Sequence, residues 1–147
     1  MSDVLLTEDK GRVRLLTFNR PQAKNAFNDD LYDAVTAALR DASEDGNVAV
    51  VILTGAEGAY CAGQDLSEMT KSRTPEEAAS SGFMPFVDTL QTFPKPLIAA
   101  VNGVAVGIGV TMLLHCDLVF ASERARFRAP FVSLGIAAEA GSTVLLP

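Results

Sequence analysis

The sequence is poor in the residues from which metal sites and disulfide frameworks are built. It contains no tryptophan, one histidine (His115) and two cysteines, Cys61 and Cys116, that stand far apart in the chain. This spacing matches no zinc pattern, so we predict no metal site. Isolated cysteines in a chain able to form a core are typical of reduced thiols. We therefore expect a cytoplasmic protein without disulfides.

Basic residues are also scarce, with 12 Lys and Arg against 18 Asp and Glu for a net charge of −6. Nucleic-acid surfaces need clustered basic side chains, so this balance argues against a nucleic-acid partner. The exception is the segment 10–28, which carries five basic residues and no acidic one. Such a basic island suits phosphate groups, but by itself a solvated face is the more frequent explanation.

Charge is missing altogether from the twenty residues Leu97–Cys116. That length is enough to cross a bilayer, and Gly103-x-x-x-Gly107 resembles a motif of paired membrane helices. Against this, Asn102 and His115 lie inside the stretch, so we predict a buried strand, a glycine loop and a buried helix, without membrane association. The acidic N-terminus predicts no secretory signal. The mean hydropathy of +0.22 then suggests that apolar surface is buried against a partner.

Strand patterns alternate with helix patterns along the chain, which predicts an α/β fold. The predicted strands are Val4–Thr7, Val13–Phe18, Val48–Leu53, Leu97–Val101 and Leu118–Ala121, with one more in 122–128. Short helical stretches are expected from Asp65, over Val110–Cys116 and from Glu139 onward.

Two longer helices have clear start signals. Asn28 is a good N-cap for a helix with apolar residues at helical spacing, which we expect Gly46 to close. Thr74, followed by proline and two glutamates, starts a second helix running toward residue 93. Gly82 and Pro85 are expected to interrupt that helix.

Two glycine-rich loops follow buried strands and lead into helices. One lies between Thr54 and Gly63, and the other spans Gly103–Gly109. Small residues let a ligand approach the backbone, and helix starts present free N–H groups, so together the loops could form an oxyanion hole. A dinucleotide site is a poor match because Met112 occupies the third glycine position.

Four blocks of sequence occur in an order that resembles the crotonase (enoyl-CoA hydratase/isomerase) superfamily. They are NRPQAKNAF, TGAEGAYCAGQDL, KPLIAAVNGVAVGIG and CDLVFASERARF. The resemblance covers essentially the whole chain, residues 1–147, as one acyl-CoA-binding core. It implies a crotonase-like spiral of ββα units that lacks the family's C-terminal helical segment. It also implies a homo-oligomer, either a trimer or a hexamer, with a coenzyme A thioester as substrate and no bound cofactor.

The resemblance also implies an enolate-like intermediate held by two backbone N–H groups. By position these belong to Gln64 and Ile108, which we also count among the substrate-binding residues. Ile108 stands where the family usually has glycine, so its side chain is expected to narrow or reshape the pocket. The positions that line the coenzyme A site in relatives are Lys24, Ala26, Ala62, Asp65 and Leu66.

The residues at the family's acidic catalytic positions favour isomerase chemistry. Enoyl-CoA hydratases usually carry two glutamates, and Thr111 and Phe131 occupy those positions here, so ordinary hydration is not expected. The segment 129–142 instead resembles the Δ3,Δ2-enoyl-CoA isomerase branch, which has one acidic residue at the position of Glu139. One base suffices to move a proton from C2 to C4, and Phe131, Leu134 and Ile136 would raise its pKa.

We therefore predict Glu139 as the catalytic base, with Thr111, Phe131 and Leu134 among the substrate-binding residues. The competing interpretation of Glu139 is a carboxylate that only favours a helix start. Alternative functions are an enoyl-CoA hydratase or thioesterase using bound water, and a non-catalytic acyl-CoA-binding protein. His115 and Cys61 are expected to be structural rather than catalytic.

Overall fold

A five-stranded sheet organises the structure. This computed structural model describes residues 4–72, 74–79 and 82–146. Its strands are Leu5–Lys10 (β1), Val13–Phe18 (β2), Val50–Gly55 (β3), Leu97–Val101 (β4), Val104–Val106 (β5), Leu118–Ala121 (β6) and Arg126–Arg128 (β7). The main sheet has the order β1-β2-β3-β4-β6, and all its pairs are parallel except the β1-β2 hairpin. A parallel pair of β5 and β7 forms the second sheet. The predicted α/β class is confirmed.

Strand boundaries follow the pairing partners. β2, β4 and β6 have the predicted bounds, and β7 is the additional strand expected in 122–128. β3 begins at Val50 rather than Val48, because Val50 pairs with the first residue of β2. The prediction that Gly103–Gly109 is entirely a loop was wrong. β5 lies inside it, held by β7 and by a bridge between Cys61 and Ala105.

The helices are Asp29–Glu44 (α1), Leu66–Met69 (α2), Pro75–Ala79 (α3), Phe83–Thr92 (α4), Ile108–Thr111 (α5), Phe131–Leu134 (α6) and Ser142–Leu145 (α7). The Asn28 side chain caps α1 as predicted, since its Oδ1 accepts a hydrogen bond of 3.1 Å from the Leu31 N–H. The helix ends at Glu44 with extended Asp45 as its C-cap, so the prediction that Gly46 closes it was wrong.

The second predicted helix start is also confirmed. Thr74 Oγ1 accepts from the Glu77 N–H at 3.2 Å, and Glu77 Oε2 accepts from the Thr74 N–H at 2.7 Å. Gly82 is the N-cap of α4, so the expected break lies there. Pro85 does not interrupt the helix, because it sits in the first turn, where N–H groups have no intrahelical acceptor.

The uncharged stretch Leu97–Cys116 folds into β4, β5, α5 and a 3-10 turn over Met112–His115. Among the described residues, no helix is long and apolar enough to cross a membrane. Asn102 is satisfied by the end of β3, donating to the Gly55 carbonyl at 2.7 Å. A Cβ on Gly103 would lie 1.9 Å from the Gly58 carbonyl oxygen, so this glycine serves backbone packing rather than helix pairing.

Aromatic side chains fill the core between α1, α4 and the sheet. Phe18, Phe27, Tyr32, Tyr60 and Phe86 are all fully buried and form a chain of edge-on and tilted ring contacts. By contrast, most of the exposed large apolar side chains lie after residue 117. They include Leu118, Val119, Phe120, Phe127, Val132, Val144 and Leu146.

Two arginines of the basic island form ion pairs within the chain. Arg14 is only 7% exposed and its guanidinium binds Asp9, Asp41 and Asp45. Arg20 binds Asp65 at 2.9 Å. These ion pairs join β1, β2 and α1 in one case and two loops in the other, so much of the island's charge is already neutralised.

Candidate active site

A cavity of about 480 Å³ lies where the two glycine-rich loops meet the segment 128–139. This volume is in the range of small-molecule sites. Its lining residues are Ala62, Gly63, Gln64, Leu66, Phe83, Val106, Gly107, Ile108, Arg128, Pro130, Phe131, Ser133, Leu134, Ile136, Ala137 and Glu139. Most of these are apolar, and Glu139 is the only acid among them. As far as the described residues define it, the cavity is therefore a largely apolar site with one carboxylate.

Seven of the residues predicted from the sequence line this cavity. They are Ala62, Gln64, Leu66, Ile108, Phe131, Leu134 and Glu139. Four predicted residues are not among its lining residues: Lys24, Ala26, Asp65 and Thr111. The first set brings together the first loop, the start of α5 and the segment before α7, which are distant in sequence.

The two glycine-rich loops touch because glycines stand at the points of closest approach. A Cβ on Gly63 would lie 3.1 Å from the Val106 carbonyl oxygen, and Gly63 itself has φ +103°, a backbone conformation that favours glycine. A Cβ on Gly109 would lie 2.5 Å from the Cys61 carbonyl oxygen. The close approach of backbone to backbone is what places Gln64 and Ile108 on one cavity.

The N–H groups of Gln64 and Ile108 are available to a ligand. On either side of Gln64, the Gly63 carbonyl and the Asp65 N–H both pair with Phe27, which leaves the Gln64 N–H turned away from that segment. Ile108 is the first residue of α5, where N–H groups have no intrahelical acceptor. Within the described residues, neither N–H donates to a carbonyl. The Ile108 side chain is 3% exposed and packs in the core.

Glu139 precedes a left-handed turn rather than beginning a helix. Ala140 and Gly141 have φ values of 51° and 73°, and α7 begins at Ser142. The turn is held by Ser142, whose N–H and Oγ both donate to the Glu139 carbonyl, and by His115 Nε2, 2.8 Å from the Ala140 carbonyl. The expected helix start at Glu139 was wrong, and the interpretation of Glu139 as a helix-start carboxylate loses its basis.

The Glu139 carboxylate is held by Thr111. Thr111 Oγ1 donates to Glu139 Oε1 at 2.7 Å, and Thr111 is 2% exposed. Thr111 thus contacts the predicted base rather than lining the cavity. Burial raises the pKa of Glu139, while the Thr111 hydrogen bond opposes that rise. A carboxyl group with a raised pKa in an apolar cavity is suited to proton transfer.

Asp65 has a structural role that the resemblance did not indicate. Its Oδ1 caps α2 by accepting from the Ser67 N–H at 3.0 Å and the Ser67 hydroxyl at 2.7 Å, and its Oδ2 binds Arg20. The hydrogen bond from the Ser67 hydroxyl lowers the pKa of Asp65, with contributions from the Ser67 N–H and Arg20. Its two oxygens are therefore already engaged by the chain.

Replacing Asp65 is expected to destabilise the fold. Asp65→Ala removes the cap and leaves Arg20 without its carboxylate, so we expect the free energy of unfolding to fall by about 2 kcal/mol. Asp65→Asn keeps a capping oxygen and loses the charge, so its loss should be smaller. Urea denaturation of both variants at neutral pH measures the difference.

The pH dependence gives an independent check on Asp65. Its folded-state pKa is lowered, so its contribution is complete above the ordinary value of 3.8 and declines as the pH falls through the folded value. The gap between wild type and Asp65→Asn should therefore narrow in acid. An equal gap at neutral pH and in strong acid would contradict the ion pair.

Lys24 and Ala26 lie behind the first loop. The Lys24 carbonyl accepts from the Ala62 N–H at 3.0 Å, and Lys24 has a left-handed φ of 49° with an exposed side chain. Ala26 is 8% exposed and its carbonyl accepts from Arg20. These residues support the backbone around Ala62, and only Lys24 offers an exposed charge there.

The cavity also contains features that sequence reasoning missed. Arg128 lines it, and the Tyr32 hydroxyl donates to Gln64 Oε1 at 2.7 Å. Tyr32 lies on the apolar face of α1, where its spacing indicates only a core residue. Cys61 is fully buried, and burial raises its pKa to about 12, so it is a packed thiol rather than a nucleophile.

Comparison with known proteins places this geometry in context. The sequence model of the enoyl-CoA hydratase/isomerase family matches residues 8–147. Enoyl-CoA delta isomerase 2 of Rattus norvegicus is 44% identical over 147 residues, which cover 97% of this chain and 37% of that protein. The 2,3-dehydroadipyl-CoA hydratase of Escherichia coli (strain K12) is 42% identical over 144 residues, covering 97% of this chain and 55% of that protein.

A solved structure gives the same picture for the fold. An enoyl-CoA hydratase/carnithine racemase from Magnetospirillum magneticum AMB-1 superposes with a TM-score of 0.92 at 37% identity, over 100% of this chain and 57% of that chain. The present chain thus spans about half the length of the curated relatives it matches.

Proposed function

The chain belongs to the enoyl-CoA hydratase/isomerase family, and on this basis we propose that it shifts the double bond of a 3-enoyl-CoA to give a 2-enoyl-CoA. The substrate is an acyl thioester of coenzyme A, as used in fatty acid metabolism. Glu139 acts as the base, and the N–H groups of Gln64 and Ile108 act as the oxyanion hole.

The proposed mechanism needs one base and two donors. Glu139 Oε2, which is not used by Thr111, removes a proton from C2 of the thioester. The electron pair moves into the carbonyl, and the negative charge on that oxygen is stabilised by the two N–H groups. The same carboxyl then returns the proton at C4 as the double bond forms between C2 and C3. No atom is gained or lost.

The observation that carries the proposal is that Glu139 is the only carboxylate among the described residues that line the cavity. Addition of water to a double bond, as carried out by family members with two glutamates, assigns separate carboxylates to water and proton. Here Thr111 and Phe131 stand at those two positions, and Glu139 is the only acid among the lining residues. A 1,3-proton shift is the family reaction that one carboxylate can complete.

Coenzyme A binding is proposed at the open side of the first loop. Leu66 is 72% exposed, and exposed Lys24 is joined to the same loop by the hydrogen bond from the Ala62 N–H to its carbonyl. A lysine there suits the phosphates of coenzyme A. We further propose a cytoplasmic homo-oligomer, a trimer or hexamer, because the exposed apolar side chains after residue 117 provide surface for association.

The experiment is incubation of the purified chain with 3-enoyl-CoA and analysis of the product by mass and ultraviolet absorbance. Isomerisation gives a conjugated thioester of unchanged mass. A product heavier by one water identifies the alternative hydratase activity, which several relatives carry in their names. Release of free coenzyme A identifies a thioesterase, and tight binding without turnover identifies a non-catalytic protein. Any of these three results overturns the proposed isomerisation.

The hydrogen bond from Thr111 predicts a shift in pH dependence. Thr111→Val removes a donor that stabilises the Glu139 carboxylate, so the pKa of Glu139 rises further above its ordinary value. Because the base must be ionised, the acidic limb of kcat/KM moves to higher pH. On that limb we expect activity to fall about tenfold, the order expected of a hydrogen bond to a charged group.

The matched control is Thr111→Ser, which keeps the hydroxyl and loses only a methyl group. It should retain the wild-type pH profile. If Thr111→Val and Thr111→Ser lose activity equally at every pH, Thr111 serves packing alone and its proposed action on Glu139 is wrong.

A further inference from the structure

The Gln64 side chain is held in a fixed orientation by a residue outside the cavity. Tyr32 lies on α1, is fully buried, and donates through its hydroxyl to Gln64 Oε1 at 2.7 Å. Its ring is fixed by edge-on contacts with Phe27 and Phe83. Burial raises the pKa of the phenol, with Cys61 and Glu139 adding to the effect, so Tyr32 remains a donor. The Gln64 Oε1 atom accepts this hydrogen bond, so Nε2 is the end of the amide that Tyr32 does not contact.

This orientation leaves the Gln64 Nε2 group free. No acceptor contacts it within residues 4–72, 74–79 and 82–146. The only fully buried side-chain polar atom without a partner in this part of the chain is Thr36 Oγ1, so Nε2 is accessible. Gln64 borders the cavity, so a two-proton donor is available to a molecule bound there.

The donor borders a largely apolar part of the cavity that also contains the proposed base. Phe83, Phe131, Leu134 and Ile136 line the same space and offer no hydrogen bond. Gln64 and Glu139 both line this cavity. A hydrocarbon chain in this position would leave Nε2 without an acceptor, whereas an oxygen atom on the chain would satisfy it.

We propose that the Gln64 side-chain amide, oriented by Tyr32, binds an oxygen atom carried by the acyl group, so that the preferred substrates are oxygen-substituted acyl-CoA thioesters. The inference rests on the proposed function for the identity of the ligand as an acyl-CoA. It adds a specificity-determining role for the Gln64 side chain to the role of its backbone N–H. Tyr32 is a positioning residue in this arrangement.

The test is a binding measurement that requires no turnover. Calorimetry compares a saturated acyl-CoA with thioesters of the same length that carry a hydroxyl at C4 or C5, positions that hydration of a 2-enoyl-CoA does not oxygenate. For the wild-type chain we expect at least one hydroxylated thioester to bind about tenfold more tightly than the parent, the order expected of one neutral hydrogen bond. Gln64→Met keeps the length of the side chain without its amide. In this variant the ratio of the two affinities, hydroxylated thioester over parent, should be about one.

Tyr32→Phe provides the second variant, because it removes the hydroxyl and leaves the amide unfixed. Its ratio should fall between those of wild type and Gln64→Met. Gln22→Met changes an exposed glutamine outside the cavity and should leave the ratio unchanged. Since each result is a ratio within one variant, a common loss of affinity or folded fraction cancels.

Two results would overturn the inference. One is equal binding of all the thioesters by the wild-type chain. The other is a ratio that persists in Gln64→Met, which would assign the preference to another group. A different combination is a preference for a hydroxylated thioester in the wild-type chain, loss of that preference in Gln64→Met, and no isomerisation of any 3-enoyl-CoA. That combination would overturn the proposed reaction and leave the role of the Gln64 side chain intact.

Discussion

Glu139→Gln is expected to reduce the isomerisation of 3-enoyl-CoA by a factor of about 10²–10⁴ in kcat/KM, the usual contribution of a positioned general base. Glutamine has nearly the shape of glutamate, and its Oε1 can still accept from Thr111, so the turn at Ala140 and Gly141 should be kept. It lacks a group that can hold and return a proton. The measurement is the rate at which the conjugated product absorbs.

Two controls isolate the chemistry from the fold. Thermal unfolding should show that Glu139→Gln is at least as stable as wild type, because a buried carboxylate has been replaced by a neutral amide. Glu123→Gln makes the same chemical change at an exposed glutamate outside the cavity and should leave the rate unchanged. Full activity of Glu139→Gln would contradict the assignment of the base.

Three strands have the bounds that the sequence predicted: β2 and β4 inside the sheet and β6 at its exposed edge. β2 and β4 each pair with a strand on both sides, and their bounds match the apolar runs Val13–Phe18 and Leu97–Val101. β5 was missed because Val104–Val106 is three residues long and depends on β7, which follows much later in the chain. Local pattern carries no information about such a partner.

The candidate site also contains residues that the sequence predicted and residues that it did not. Glu139, Gln64 and Ile108 could be placed on one site through the order of the family-like blocks, and all three line the cavity. The residues that hold Glu139 and Gln64 in place could not be predicted from the sequence. Thr111 reaches Glu139 across 28 positions, and Tyr32 reaches Gln64 across 32, so each hydrogen bond exists only after the chain has folded. Both residues have spacings that indicate ordinary core positions.

The distribution of charge along the sequence was the poorest predictor of where a ligand binds. The basic island suggested a phosphate surface, but Arg14 and Arg20 face inward to carboxylates contributed by β1, α1 and the N-cap of α2. Asp65 illustrates the same difficulty, because its position in the family-like block suggested a ligand contact while its oxygens are bound within the chain. A count of charges does not reveal which of them have partners in the fold.

Ile108→Pro is expected to lower kcat by about 10²–10³, the effect of removing one donor of an oxyanion hole. Proline has no N–H, and the first position of a helix is where it is best tolerated, since that N–H has no intrahelical acceptor. Gly107 before it has no Cβ to clash with the proline ring. The substitution therefore removes the proposed donor while leaving α5 able to form.

The control for Ile108→Pro must separate the N–H from the side chain, which is buried in the core. Ile108→Val retains the N–H and removes one methylene, so it should cost about 1 kcal/mol of stability and little of kcat. Because the enolate carries its charge only after proton removal, loss of the donor should act on kcat more than on the affinity for a saturated acyl-CoA. Equal kcat values for Ile108→Pro and Ile108→Val would show that the thioester oxygen does not use this N–H, and the oxyanion hole would then have to be sought elsewhere in the cavity.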